Sequence, residues 1–195
     1  MKKLIFTLAT FAAFTVAKAQ ETSEGGFIRG EGFVTGTFGL ESSKTGESKT
    51  TAFEVAPSVG FFVSPNIAVG GRVGFSSLKE EEGSDELTTS GFSAGIFGRY
   101  YFTPASKFSL FGELAVEYAT ANVDNGFDEI DVNGFGVQLA PAVSYFLNKN
   151  FAIEASWGVL NYNTAKPDFD GAESTDQFRF GLNLRDINFG IVYKF

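Results

Sequence analysis

Between Phe27 and Phe195, apolar side chains recur at every second position in one segment after another. A period of two puts alternate side chains on opposite faces of an extended strand, whereas a helix repeats near 3.6. Phe27–Leu40 sets Ile28, Val34, Phe38 and Leu40 against Arg29, Glu31, Thr35 and Thr37. Ala52–Val63 opposes Phe53, Val55, Val59, Phe61 and Val63 to Glu54, Ser58 and Gly60. Ile67–Leu78 and Gly91–Phe102 repeat the design, with Arg72 and Ser76, then Ser93, Arg99 and Tyr101, on the polar side. Phe108–Thr120 opposes Leu110, Leu114, Val116 and Tyr118 to Ser109, Glu113 and Glu117. Gly134–Leu147 sets Phe135, Val137, Leu139, Val143 and Tyr145 against Gln138, Ser144 and Phe146. Phe151–Asn161 sets Ile153, Trp157 and Val159 against Glu154 and Ser156, and Phe178–Phe195 completes the series. The pattern predicts eight strands.

Their connections alternate in length. Ser64–Asn66, Thr103–Lys107 and Asn148–Asn150 are short turns; Glu41–Thr51, Lys79–Ser90, Ala121–Asn133 and Tyr162–Gln177 are long and polar. Short turns at one end and long loops at the other is the layout of an up-and-down barrel that crosses a membrane. The run Ala56-Pro57-Ser58-Val59-Gly60-Phe61-Phe62-Val63 is echoed by Ala140-Pro141-Ala142-Val143-Ser144-Tyr145-Phe146-Leu147, a repeated hairpin design. Pro57 and Pro141 cannot donate to a ladder, so each predicts a bulge or a missing ladder bond. In the last segment Phe178, Phe180, Leu182 and Leu184 are even-numbered, but the apolar set from Ile187 to Phe195 is odd. A bulge at Arg185–Asp186 would turn both sets the same way; otherwise the residues before Arg185 rise above the membrane as a hairpin.

Alternation also suits a soluble sandwich or a lipocalin, with the apolar face turned inward. Charge placement distinguishes them. The apolar face carries no Asp, Glu, Lys or Arg along all eight segments; the other carries Arg29, Glu31, Glu54, Arg72, Arg99, Glu113, Glu117, Glu154, Arg179, Arg185 and Lys194. A lipid-facing charge at mid-depth costs about 2–4 kcal/mol, so that absence is what a bilayer demands. Phe61, Tyr100, Phe102, Phe108, Tyr145, Phe151, Tyr193 and Phe195 gather beside the short turns, with Trp157 about two rungs further along. They form the aromatic belt expected at a headgroup interface.

Residues 1–19 read as a cleaved signal peptide: Lys2 and Lys3, an apolar stretch from Leu4 to Ala17, and the small-x-small site Ala17-Lys18-Ala19 before Gln20. The barrel is then residues 20–195, with 12 basic against 23 acidic residues and a net charge of −11. Such a surface repels nucleic acid backbones. The absence of cysteine rules out disulfides, Cys-ligated zinc and a thiol nucleophile, and excludes a lipid-anchored lipoprotein. The absence of histidine removes the commonest general base and transition-metal ligand. The acidic runs Lys79–Glu86 and Asp124–Asp131 lack EF-hand spacing and read as solvated loops rather than Ca²⁺ or Mg²⁺ sites. No cofactor or metal is expected.

The motifs Ala56-Pro57-x-Val59-x-Phe61-Phe62 and Phe189-x-Ile191-x-Tyr193-x-Phe195 make the chain resemble the small eight-stranded outer-membrane barrels of Gram-negative bacteria. These include OmpX-like and OmpA membrane-domain-like proteins and the generic outer membrane protein beta-barrel domain family. The resemblance implies an all-β, eight-stranded antiparallel up-and-down transmembrane β-barrel in the outer membrane, with both termini periplasmic. Outer-membrane lipid and lipopolysaccharide are its implied surroundings. It further implies that Phe189, Ile191, Tyr193 and Phe195 are read by the barrel-assembly machinery. Outer-membrane barrel enzymes rely on histidine, so no enzyme is expected here, and Glu113 with Glu117 reads as ion-pair partners rather than a glycosidase pair.

An eight-stranded barrel is just wide enough for side chains to fill it. Six inward-parity cations face five inward-parity carboxylates, leaving a net +1 inside and −12 in the loops, turns and termini. A selective pore favours a ring of one sign. The mixture predicts an interior ion-pair network of Arg29, Glu31, Glu54, Arg72, Arg99, Glu113, Glu117 and Glu154, with Arg72 level with Glu113 and Arg99 level with Glu154. Function is expected to be structural or surface-interacting, through acidic extracellular loops whose ligand no residue identifies. A narrow passive porin-like channel is the alternative.

Overall fold

The computed structural model describes residues 25–195 apart from 84, 127 and 182–186. Its strands are β1 (Gly32–Thr45), β2 (Ser48–Phe62), β3 (Ile67–Glu82), β4 (Asp85–Tyr101), β5 (Phe108–Asp124), β6 (Glu129–Phe146), β7 (Phe151–Trp157), β8 (Leu160–Pro167), β9 (Thr175–Phe180) and β10 (Ile187–Lys194). Each pairs antiparallel with the next from β1 to β6. One half of β6 then pairs with β7 and the other with β8. β8 carries β9, and β10 lies between β7 and β1, closing the sheet. β7 with β8, and β9 with β10, are successive halves of the seventh and eighth strands, so the molecule is an eight-stranded antiparallel barrel. The expected signal peptide, Leu182, Leu184 and the bulge expected at Arg185–Asp186 lie outside the described residues.

Both prolines interrupt pairing as their missing N–H requires. Between β2 and β3 the ladder skips Ala56 and Pro57, resuming at Ser58↔Arg72 in unchanged register. At Pro141 the partner strand bulges instead. The β6–β8 ladder ends at Leu139↔Leu160 and the β6–β7 ladder begins at Ala142↔Ser156, leaving three residues, 157–159, opposite Ala140 and Pro141. The extra residue shifts the outward set from odd numbers in β7 to even numbers in β8. Val159, expected on the apolar face with Trp157, therefore sits in the bulge, where its N–H donates to the Leu139 carbonyl. The same shift recurs on the neighbouring strand. Phe178 and Phe180 pair with Tyr162 and Leu160 on the outer face, and Ile187 pairs there with Trp157.

The long connections are a second correction. Most of the residues expected as loops continue the ladder: β1 and β2 pair out to Thr45↔Ser48, β3 and β4 to Glu82↔Asp85, β5 and β6 to Asp124↔Glu129. Turns at Gly46, Gly83 and Gly126 have φ of 63°, 62° and 82°, where a Cβ would be strained. Likewise β8 extends to Pro167 and β9 starts at Thr175, so little of Tyr162–Gln177 is loop. Thr-, Ser- and Lys-rich strands keep pairing in water because cross-strand contacts, including Lys49–Glu81 at 3.3 Å and Lys79–Glu86 at 2.9 Å, do not need an apolar face.

The outer face is the apolar one. Phe61, Tyr100, Phe102, Phe108, Tyr145, Phe151 and Tyr193 are exposed around the short-turn end, with ring pairs Tyr100–Phe102 at 5.3 Å and Phe151–Tyr193 at 5.1 Å. An exposed apolar band on this scale is stable in hydrocarbon, not in water.

Candidate functional site

Everything chemically distinctive lies in the lumen, in two stacked layers. The lower layer, at the short-turn end, is aromatic. Phe27, Phe33, Phe62, Tyr101, Phe111 and Phe146 are each at most 2 % exposed, and Phe97 completes the set. Phe27 precedes β1 and enters the lumen as part of a strap. Its ring lies 4.7 Å from Phe62, 4.9 Å from Phe146 and 5.5 Å from both Phe33 and Tyr101. Its N–H donates to the Pro104 carbonyl in the β4–β5 turn at 2.7 Å. Room for these rings comes from small lumen-facing partners: a Cβ on Gly70 would collide with the Phe97 ring and the Val59 carbonyl.

The upper layer is ionic. Arg99 donates through Nε to Glu113 at 2.6 Å, through Nη1 to both Glu154 oxygens at 3.1 Å, and through Nη1 to the Tyr101 hydroxyl at 3.2 Å. Its guanidinium lies 4.8–5.1 Å from the ring centroids of Phe111, Phe97 and Phe33, so it joins the two layers through cation–π contact. Arg72 donates to Glu113 at 2.7 Å, Glu117 at 2.9 Å and the Ser58 hydroxyl at 3.1 Å. Glu113 thus bridges two guanidiniums. β3, β4, β5 and β7 each present one or two of these side chains inward, because alternation holds their outward neighbours against the apolar face.

Of the sequence-derived site residues, Arg72, Arg99, Glu113, Glu117 and Glu154 form this one cluster. Glu31 is elsewhere: it accepts from Lys194 Nζ at 3.0 Å, and that ammonium also donates to the Gly26 carbonyl at 2.8 Å, tying the strap to β10. Arg29 and Glu54 are exposed and have no ion-pair partner among the described residues. Arg29 lies in the turn before β1, where strand parity means little; Glu54 faces the cavity above the cluster. Arg179 is exposed on β9, and Arg185 lies outside the described residues. Phe189, Ile191 and Tyr193 face outward, and Phe195 exchanges backbone hydrogen bonds with Gly32 at 2.9 and 3.1 Å.

Alternation sets Tyr101 and Phe146 on the polar side of their strands, but the polar, ion-paired interior it predicts includes no aromatic layer. A signal for it is present in the doublets Phe61-Phe62, Tyr100-Tyr101 and Tyr145-Phe146: adjacent rings must face opposite ways, so one of each pair enters the lumen.

Above the ionic layer a cavity of about 480 Å³ faces the long-hairpin end. Thr35, Thr37, Ser58, Ser76, Ser93 and Gln138 contribute polar groups to its wall, and glycines such as Gly74 and Gly91 keep it wide. Among the described residues, no group of three or more metal-ligating side chains converges.

The family described as outer membrane protein beta-barrel domain matches residues 6–195. Among curated proteins the sequence finds no match. Among solved structures, the outer membrane protein OprG from Pseudomonas aeruginosa superposes with a TM-score of 0.56 at 15 % identity, covering 87 % of this chain and 98 % of OprG. A major outer membrane protein from Thermus thermophilus gives 0.50 at 12 % identity, covering 85 % and 98 %. At those identities the likeness is one of fold.

Proposed function

Since this chain belongs to the outer membrane protein beta-barrel domain family and resides in the outer membrane, we propose that it is a non-conducting, non-enzymatic barrel that holds polar β-hairpins at the cell surface. The observation that carries this reading is a pair of stacked side-chain layers inside the lumen. The Arg72–Glu113–Arg99–Glu154 layer lies directly on the Phe27–Phe33–Phe62–Tyr101–Phe111–Phe146 layer, and Arg99 is packed into both. A solvated ion would have to part a buried ion pair and then displace packed rings. The water-filled lumens of porins are instead polar.

The interior ion pairs serve in this reading to hold the barrel wall from inside. The acidic hairpins extend into the lipopolysaccharide-facing space and keep neighbours apart by charge. Phe189, Ile191, Tyr193 and Phe195 serve as the strand that the barrel-assembly machinery reads; replacing Phe195 by Ala should lower outer-membrane insertion in cells without changing refolding in detergent. The cavity above the ionic layer favours a second reading, a narrow pore with a movable floor. Planar-bilayer recording of the refolded protein separates the two. Silence across the voltage range is expected, and steady open channels in the unmodified protein would overturn the closed reading.

A further inference from the structure

The ladder that closes the barrel stops early. Phe33, Val34, Thr35 and Gly36 pair with Lys194, Tyr193, Val192 and Ile191. The same register would set Thr37, Phe38, Gly39 and Leu40 opposite Gly190, Phe189, Asn188 and Ile187, and no ladder pairing joins them. Both strands are otherwise regular there: β1 keeps its ladder to β2 out to Thr45, and β10 keeps its ladder to β7 down to Ile187. The gap is therefore a slot between two intact staves.

The slot opens onto the apolar band. Phe38 and Leu40 on one lip pair with Val55 and Phe53, and Phe189 on the other pairs with Ala155, one rung above Ile191, where the closing ladder stops. The three lip side chains Phe38, Leu40 and Phe189 are 64 %, 71 % and 74 % exposed, among the most exposed apolar groups of the wall. Peptide N–H and C=O groups in hydrocarbon need partners, and along these residues the two strands form no ladder. On the inside, the lumen cavity reaches both lips: Thr37 lines it from β1, next to the still-paired Thr35 and Gly36, and Asn188, Phe189 and Gly190 line it from β10. Its ionisable lining is Glu54, Glu113, Glu117 and Glu154 against Arg72 and Arg99, two negative charges in excess.

We infer that this slot is a binding site for a single-chain amphiphile taken from the membrane, with a cationic, hydrogen-bond-donating head in the cavity and its hydrocarbon chain leaving between the lips. The head meets the Glu54 carboxylate and the excess negative charge. The chain covers Phe38, Leu40 and Phe189, and the peptide groups at the lips bond to the head and its linkage. An anionic head meets the wrong sign. This site needs no passage through the floor and is independent of whether the barrel conducts.

The test uses dodecylammonium and laurate as matched probes, titrated into the barrel refolded in a non-ionic detergent and read by native mass spectrometry. One dodecylammonium per barrel is expected, saturable and at least tenfold tighter than laurate, with Glu54→Gln narrowing that preference. The chain has no cysteine, so a Phe38→Cys/Phe189→Cys pair gives a single disulfide across the slot. Oxidation should abolish binding and reduction restore it, while a Val34→Cys/Tyr193→Cys bond within the existing ladder should leave binding intact. If the slot disulfide does not form, Gly190→Trp fills the same lip and should abolish binding; heat-modifiable migration on gels confirms that each variant is folded. Equal, non-saturating uptake of both probes, or full binding with the slot sealed, would overturn the assignment.

Discussion

Arg99 shows how much one lumen side chain can carry. Its side chain is 5 % exposed, with three rings around it and two carboxylates on its nitrogens. Removing one member of such a buried pair costs about 3–5 kcal/mol, because the partner charges remain desolvated. Arg99→Ala is expected to lose that much, measured by urea unfolding in detergent with Trp157 fluorescence as the probe. Arg72 is 19 % exposed and its partner Glu117 30 %, so water compensates, and Arg72→Ala should lose clearly less. Arg99→Lys should fall between, keeping the charge but not the planar fork that stacks and bonds together. At this scale the sequence is informative about which side of a strand a residue occupies. Parity alone places Arg72, Arg99, Glu113, Glu117 and Glu154 on one inner surface. Which of them touch depends on tilt and register around the wall, and that is why Glu113 bridges two arginines while Glu54, on the same parity, has none.

The strands teach a different lesson. Pro57 leaves a gap in the β2–β3 ladder without changing register, so Pro57→Val should restore a bond and gain about 0.5–1.5 kcal/mol. Pro141 faces the bulge at 157–159, where a restored N–H meets no regular partner, and Pro141→Val should gain less; both are read from shifts in the urea midpoint. Prolines are visible in a sequence, and their effect on pairing is too. The partner's bulge is not, because one extra residue in an apolar stretch such as Trp157–Leu160 changes no local composition. The hairpins that rise beyond the band were hidden for a related reason: polarity marks contact with water, not loss of strand. At their tips the Glu81 carboxyl is held below the usual carboxylate range by its hydrogen bond to Lys79 and then to Lys49. Lys79 is held above its usual range chiefly by Glu86. A depressed acid contributes above its unfolded value and loses that contribution as pH falls through its folded one. The tip contacts should therefore persist at neutral pH and disappear only once the pH falls below the ordinary carboxylate range, seen as loss of amide protection in the β3–β4 tip while the barrel wall stays protected.

At the level of the whole molecule, the membrane imposes the most legible constraint. Every described outward side chain in the apolar band must suit hydrocarbon, so the outer surface is written into the alternation, from Val34 to Tyr193. The inside answers to no single solvent. It is aromatic where the strap enters and ionic above, and a count of inward charges reports only the second. Phe27→Ala should cost about 3–5 kcal/mol through the cavity it leaves. It should remain silent in planar bilayers, since the ionic layer still spans the lumen. Combined with Arg99→Ala it should produce measurable conductance; silence in the double variant would mean that the remaining rings suffice as the seal.

The strap also sets an order of events. Phe27 belongs to the first described segment of the chain, yet its ring is enclosed by Phe62, Tyr101 and Phe146, and the carbonyl beside it is held by Lys194 of the last strand. Its destination does not exist until the far half of the chain has joined the wall. The strap can therefore take its final place only once those strands are in the wall, and its docking is the latch that reports the barrel is complete.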